Sequence, residues 1–491
     1  MSKKEVRNAT LVESLIPISF MAIFLSFCIF KYGASPHIPL IVTTIIASLI
    51  AVFRLGYSWE VIEQGMFETI ISAMQAILIT ILIGILIGVW IVSGVVPCMI
   101  YWGLKIISPN IFLVASLLAC AIISISTGSS WSTIGTIGVA LLGIAQSLEI
   151  PVGLAAGAII SGAYFGDKLS PLSETTNLAP AVSGTDLFSH IKYMTYSTIP
   201  SLIICIIIYG VIGLRYSGRN LDIENILLVQ ETLKLTFNTL SHFVNSVLTI
   251  LVGTLKLTFN TLSPVLLIAP IFVISLVIFK IPAIPGLVGG ILIGVLFAVT
   301  LQGVDLGSVL SAAQNGYVAK TGVQAVDELL SKGGLSSMMS TISLILCALS
   351  LGGVLEKTGM LKSIAEVLLK RAKGVFGTVA CTMLTCLFTN IIAGEQYLAI
   401  VIPGKMYKSE FEKKGLDPVM LSRALEDSGT LTSVLVPWTS CGAYVAGVLG
   451  VSAFTYAPFT FLNIINPFVS LIMIAFGIKI VRTNSNKEEI V

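Results

Sequence analysis

Apolar runs long enough to cross a bilayer recur from one end of this sequence to the other. That one feature removes most folds from consideration. "IISAMQAILITILIGILIGVWIV" (70–92) and "IPSLIICIIIYGVIGL" (199–214) are two examples. About 20 predominantly apolar residues span the hydrocarbon core as a helix. The chain therefore reads as an all-α polytopic membrane protein. Charge agrees: 11% of the 491 residues are charged, against about 25% in a soluble domain. The polar start "MSKKEVRNATLVES" leads into a run with no small-residue cleavage site, so that run is expected to be a retained span. Eight cysteines lie mostly in apolar runs without a C-x-x-C pair, and only three His are present. The cysteines read as small buried hydrophobes, with no cofactor or nucleic-acid partner implied.

The sequence is written twice. Pro151, Val152, Leu154, Ser161 and Gly162 fall, without a gap, on Pro418, Val419, Leu421, Ser428 and Gly429. Upstream, Ser72, Met74, Gly88, Val89 and Gly94 fall on Ser337, Met339, Gly353, Val354 and Gly359, and "HIPLIV" (37–42) matches "AIPGLV" (283–288). Lys and Arg favour cytoplasmic loops. "YWGLKIISPN" carries only Lys105, whereas its counterpart "EKTGMLKSIAEVLLKRAKG" carries Lys357, Lys362, Lys370, Arg371 and Lys373. Equivalent loops of opposite charge bias predict halves inverted in the membrane, an arrangement common in secondary transporters.

Each half is expected to cross the membrane five times and to add one hairpin that enters and leaves on one side. The hairpins fall at about 109–145 and 375–403. The organisation is then a cytoplasmic N-terminus (1–14), repeat 1 (15–214), an external linker (215–263), repeat 2 (264–480) and a cytoplasmic tail (481–491). Within the linker "TLKLTFNTLS" occurs at 232–241 and again, letter for letter, at 254–263. A tandem duplication of 22 residues is the plain reading, and an amphipathic surface helix the sharper one.

Ionisable groups inside a membrane are costly and by default functional. Here they collect in four segments. "SISTGSSWSTIGTIG" (124–138) offers Ser126, Thr127, Ser129 and Ser130, and "TNIIAGEQYLAIVIPG" (389–404) offers Asn390, Glu395 and Gln396. Both place Gly and polar groups where a hairpin reverses. Exposed oxygens there suit a small hard cation such as Na+, and half-helix N-termini suit an anion equally well. Packing through small residues explains the Ser/Thr tip as readily. The other two segments are "SGAYFGDKLSPLSETTN" (161–177) and "EDSGTLTSVLVPWTSCGAY" (426–444), with Asp167, Glu174, Glu426 and Asp427. A buried carboxylate can hold a proton or Na+ but gains little from both. Lys168 reads as an internal counter-ion, and Arg423 stands four residues from Asp427 on one helix face.

"GAYFGDKLSPLSETTNLAP", "STGSSWSTIGTIG" and "VPWTSCGAYVAGVLG" together resemble the NhaC family of bacterial Na+/H+ antiporters. The resemblance covers the chain apart from the duplicated linker. It implies inverted repeats, two re-entrant hairpins, alternating access, a bacterial cytoplasmic membrane and often a homodimer. It also implies an ion site built from Asp167, Ser170, Ser173, Glu174 and Thr175 with the hairpin groups. Na+ is expected at Asp167, Glu395 and hairpin oxygens, completed by Asp427, Ser428 and Thr430. Lys168, Gln396 and Arg423 are expected to act on substrate or as counter-ions. The alternative is a Na+-coupled carrier or exchanger of a small organic anion, of the malate/lactate type, or of an amino acid. An enzyme is not expected, because His37 and His190 read as loop residues and His242 lies in the linker.

Overall fold

The computed structural model describes residues 6–216, 223–237, 262–279 and 281–483. These are helical throughout, and the one bridge among them joins Leu416 to Arg482. Eight described helices are long and apolar enough to cross a membrane: Leu11–Ile29, His37–Leu55, Met74–Val92, Pro109–Thr127, Leu187–Leu214, Ala283–Thr300, Leu335–Lys357 and Gly374–Ala393. A ninth candidate is the pair Ser440–Leu449 and Ala453–Phe459, bent by 89°. The other expected crossings are shorter or interrupted. Val152–Leu169 ends in Asp167 and Lys168, and Phe461–Ala475 has 15 residues.

Hydroxyls inside these helices are mostly satisfied one turn back. Thr43 donates to Pro39 O at 2.7 Å and Thr382 to Thr378 O at 2.8 Å, so these buried hydroxyls leave no donor unpaired between the helices. The helices that build the site are labelled in chain order: α1 (Pro109–Thr127), α2 (Val152–Leu169), α3 (Glu174–Ser183), α4 (Leu187–Leu214), α5 (Gly374–Ala393), α6 (Gln396–Lys413), α7 (Ser440–Leu449) and α8 (Phe461–Ala475). Pro at the first position starts α1, and Gly128 in the left-handed region ends it. Gly394 ends α5 the same way, so each expected hairpin is a helix, a glycine break and a second helical stretch. The glycine breaks recur between the halves. Gly94, Gly128 and Gly184 have positive φ, and so do Gly359, Gly394 and Gly450, at offsets of 265, 266 and 266 residues.

The α1–α2 pair packs through small residues. A Cβ on Gly162 would lie 2.1 Å from Leu117 O, and one on Gly166 2.4 Å from Ala121 O. Backbones approach this closely only where side chains are missing. Gly162→Ala is therefore expected to cost about 1–3 kcal/mol. A lowered thermal midpoint in detergent checks it, and an unchanged midpoint would mean that the two helices slide apart freely.

Two sequence expectations need correction. His190 is not a loop residue: it lies in α4, fully buried, with Nδ1 against Ser422 Oγ. His37 opens the helix His37–Ile50, and its Nε2 meets Ser343 Oγ at 2.9 Å. The run "TDLFSHIKY" hid the first, because Asp186 is the N-cap and the helix begins at Leu187. Residues 238–261, which hold most of the linker duplication and His242, lie outside the described residues.

Candidate functional site

The two glycine breaks face a common cavity of about 250 Å3. Thr127, Gly128 and Ser129 come from the first break, Glu395 and Gln396 from the second, and Asp167, Ser173, Glu174 and Thr175 from the end of α2 and the start of α3. Among the described residues the lining holds three carboxylate side chains, Asp167, Glu174 and Glu395, and no Lys, Arg or His.

Each carboxylate is held differently. Asp167 accepts from the Ser130 hydroxyl at 2.6 Å and the Ser130 N–H at 3.2 Å, at the free end of the short helix Ser130–Thr133. Glu395 is the N-cap of α6: it is buried, Oε1 accepts from Tyr397 N–H at 3.3 Å, and Oε2 has no hydrogen-bond partner among the described residues. Glu174 is the most open of the three and accepts from Gln75 and the Tyr397 hydroxyl. Both tips are fixed from outside. Trp131 stacks on Tyr444 of α7 at 4.0 Å and 11°, and Tyr444 donates to Trp131 O at 2.7 Å. Ser440 N–H donates to Gly394 O at 2.9 Å, and Trp438 to Ile391 O at 2.7 Å. A break held in this way keeps its oxygens in place as the occupant changes.

Behind the cavity lies a second polar group of atoms, sealed from it. Lys168, next to Asp167 in sequence, donates to Asp427 and, at 3.2 Å, to Thr198 of α4. Asp427 also accepts from Ser197 at 3.1 Å and from Asn466 of α8 at 2.8 Å, with Arg423 Nε at 3.7 Å. The Arg423 guanidinium lies 4.4 Å from the Tyr193 ring centre. Lys168 and Asp427 are 0% exposed, so this ion pair is desolvated as well as close.

The expected site residues therefore divide. Thr127, Ser129, Asp167, Ser173, Glu174, Thr175, Glu395 and Gln396 line one cavity, with Ser130 bonded to Asp167. Ser126 is absent from that lining, and its hydroxyl donates to Ile122 O at 2.9 Å. Ser170 caps Leu172 N–H at 3.3 Å. Asn390 reaches Gly429 O at 2.7 Å, Ser428 reaches Met383 O at 2.6 Å, and Thr430 is buried nearby. Lys168, Arg423 and Asp427 form the sealed cluster. Sequence reasoning missed Gln75, Trp131 and Tyr397 at the cavity, and Ser197, Thr198 and Asn466 in the cluster. Asn466 had a signal of its own, an amide in the middle of an apolar helix. Among the described residues, no three His, Cys, Asp or Glu side chains are grouped to hold a metal ion.

A sequence profile described as the Na+/H+ antiporter family matches residues 162–478. The chain belongs to that family. The match begins at Gly162 and runs through Asp167, Lys168, Glu395, Asp427 and Asn466, so it takes in most of the cavity and the sealed cluster. This Na+/H+ antiporter family member is 37% identical over 463 residues to the Malate-2H(+)/Na(+)-lactate antiporter of Bacillus subtilis (strain 168), covering 94% of each chain. It is 37% identical over 481 residues to the Na(+)/H(+) antiporter NhaC of Alkalihalophilus pseudofirmus, covering 98% of each. It is 36% identical over 455 residues to the Na(+)/H(+) antiporter NhaC of Bacillus subtilis (strain 168), covering 92% of this chain and 95% of that one. Family membership places the protein among transporters and not among enzymes.

Proposed function

We propose that the protein exchanges Na+ for H+ across a bacterial cytoplasmic membrane by alternating access. One observation carries the reading: among the described residues, the cavity between the two breaks is lined by three carboxylates and no basic side chain. Such a lining concentrates cations and repels anionic solutes. Na+ takes oxygen ligands, as hard cations do, and Asp167, Glu395 and the tip oxygens of Thr127 and Ser129 supply them. A proton on either carboxylate removes the charge that holds the metal, so each ion displaces the other. Two halves of inverted orientation, with both termini cytoplasmic and two chains per unit, would present this pocket to either side in turn.

Inside-out vesicles carrying an imposed pH gradient test the proposal. Added Na+ is expected to dissipate the gradient, with choline chloride as the control. No Na+-dependent proton movement would end it. The second reading, exchange of an organic anion, draws support from the relative named for malate and lactate. It needs a cation facing the solute. Lys168 and Arg423, the cations the sequence offered for that role, are engaged with Asp427. Labelled malate in the same vesicles separates the two, since only the second reading expects its uptake.

A further inference from the structure

We propose that Glu426 is a second proton-carrying carboxylate, reached from the cavity through the hydroxyls of Ser173 and Thr175. The inference rests on the exchange reading above and adds a group that no part of that reading uses. Glu426 is 0% exposed and does not line the cavity. Its Oε1 accepts from the Thr175 hydroxyl at 3.0 Å, and Thr175 does line the cavity. The Ser173 hydroxyl lies 3.2 Å from that of Thr175 and shares the same lining with Asp167. A file of two hydroxyls thus runs from water to a carboxylate that water itself does not touch.

The other end of Glu426 says what the file delivers. Glu426 Oε2 is buried without a hydrogen-bond partner among the described residues, and so is the Thr430 hydroxyl oxygen. The two belong to one π-turn, Glu426–Thr430, a helix irregularity found frequently at functional sites. A buried acceptor left unpaired costs about 1–3 kcal/mol, and more for a charged group. A single proton relieves that, because a protonated carboxyl becomes a donor beside an open acceptor. The step balances. A hydronium in the cavity gives its proton to Ser173 Oγ, Ser173 passes its own hydroxyl proton to Thr175, and Thr175 passes its own to Glu426. Neither hydroxyl changes, water is left in the cavity, and rotation of the carboxyl group turns the acid proton toward Thr430.

The charged neighbours make this carboxylate switchable. Helix α2 brings Lys168 and Asp167, the segment of Glu426 itself carries Arg423 and Asp427, and α5 brings the Cys386 thiol. Lys168 and Arg423 share the single charge of Asp427, which leaves positive charge to support ionised Glu426. Asp167 opposes it. Na+ arriving on Asp167 cancels that opposition, so metal binding in the cavity expels the proton from Glu426. The sign is that of an antiporter.

The test counts protons. Purified full-length protein in weakly buffered detergent receives NaCl, and a pH dye reports protons released per Na+ bound. Glu426→Gln is expected to lower that number by about half while Na+ still raises the thermal midpoint. An unchanged number with Na+ still bound overturns the inference. Thr175→Val, which removes the hydroxyl bonded to Glu426 and keeps the side-chain volume, is expected to slow the release of the same protons while Na+ still raises the thermal midpoint, and wild-type release kinetics would overturn the inference too. Infrared pH titration without Na+ separates the two readings. A carboxylic-acid band lost in Glu426→Gln upholds this inference even if Na+ does not bind wild type, whereas that silence would sink the exchange reading alone. The same band in both proteins overturns the inference.

Discussion

Asp167→Asn is expected to reduce Na+-driven proton movement in vesicles to the background of vesicles lacking the protein. The loss should be roughly 100-fold or more, the scale on which a positioned proton-transfer group acts. The substitution keeps the shape of the side chain. An amide oxygen still accepts from the Ser130 hydroxyl and N–H, so the tip of the first break keeps both contacts at 2.6 and 3.2 Å. Only the charge and the titration are removed. Na+ then meets Glu395 and Glu174 without its closest buried counter-charge, so its protection against thermal unfolding should fall in parallel. Expression and the sodium-free midpoint should stay near wild type. Exchange within tenfold of wild type in Asp167→Asn would show that the pocket between the breaks is not where the ions trade places.

The architecture was legible because lipid enforces it. Runs such as 70–92 have no stable alternative to a helix in a bilayer, and polar groups at depth are rare enough to stand out one by one. Asp167, Glu395, Thr127 and Ser129 were singled out on that ground, and they line one cavity. Partnership was not legible, and Lys168 shows why. Neighbours on a helix project about 100° apart, so Asp167 enters the cavity while Lys168 turns away from it to Asp427. Ser126 is the same lesson in reverse. It belongs to the Ser/Thr-rich tip by sequence, yet it lies in the last turn of α1 and spends its hydroxyl on Ile122 O. The π-turn at Glu426–Thr430 leaves no mark in hydropathy, because one altered hydrogen bond moves a side chain without changing composition. Asn466 and Ser197 sit on separate helices, 39 and 230 positions from Asp427; Asp427 unites them, and only the packed structure brings them to it.

The sealed cluster leads to the second large effect, one on stability. Lys168 comes from α2 in the first half and Asp427 from the second, so their contact ties the two halves together behind the cavity. Removing one partner of a desolvated pair costs about 3–5 kcal/mol, because the other charge stays buried. Asp427→Asn is expected to be the worse of the two single changes: it leaves Lys168 and Arg423 as two buried cations with no anion between them. Lys168→Met is expected to be milder, since Asp427 keeps Ser197 at 3.1 Å, Asn466 at 2.8 Å and the Arg423 charge at 3.7 Å. The double variant Lys168→Met/Asp427→Asn should be more stable than the sum of the singles allows, the sign of direct coupling. Thermal midpoints in one detergent measure all four proteins. Additive losses would mean that the contact contributes little, and that each residue matters through separate neighbours. Coupled losses, with Na+ protection retained in the double variant, would assign the pair to bracing the halves, leaving the carboxylates of the cavity to carry the ions.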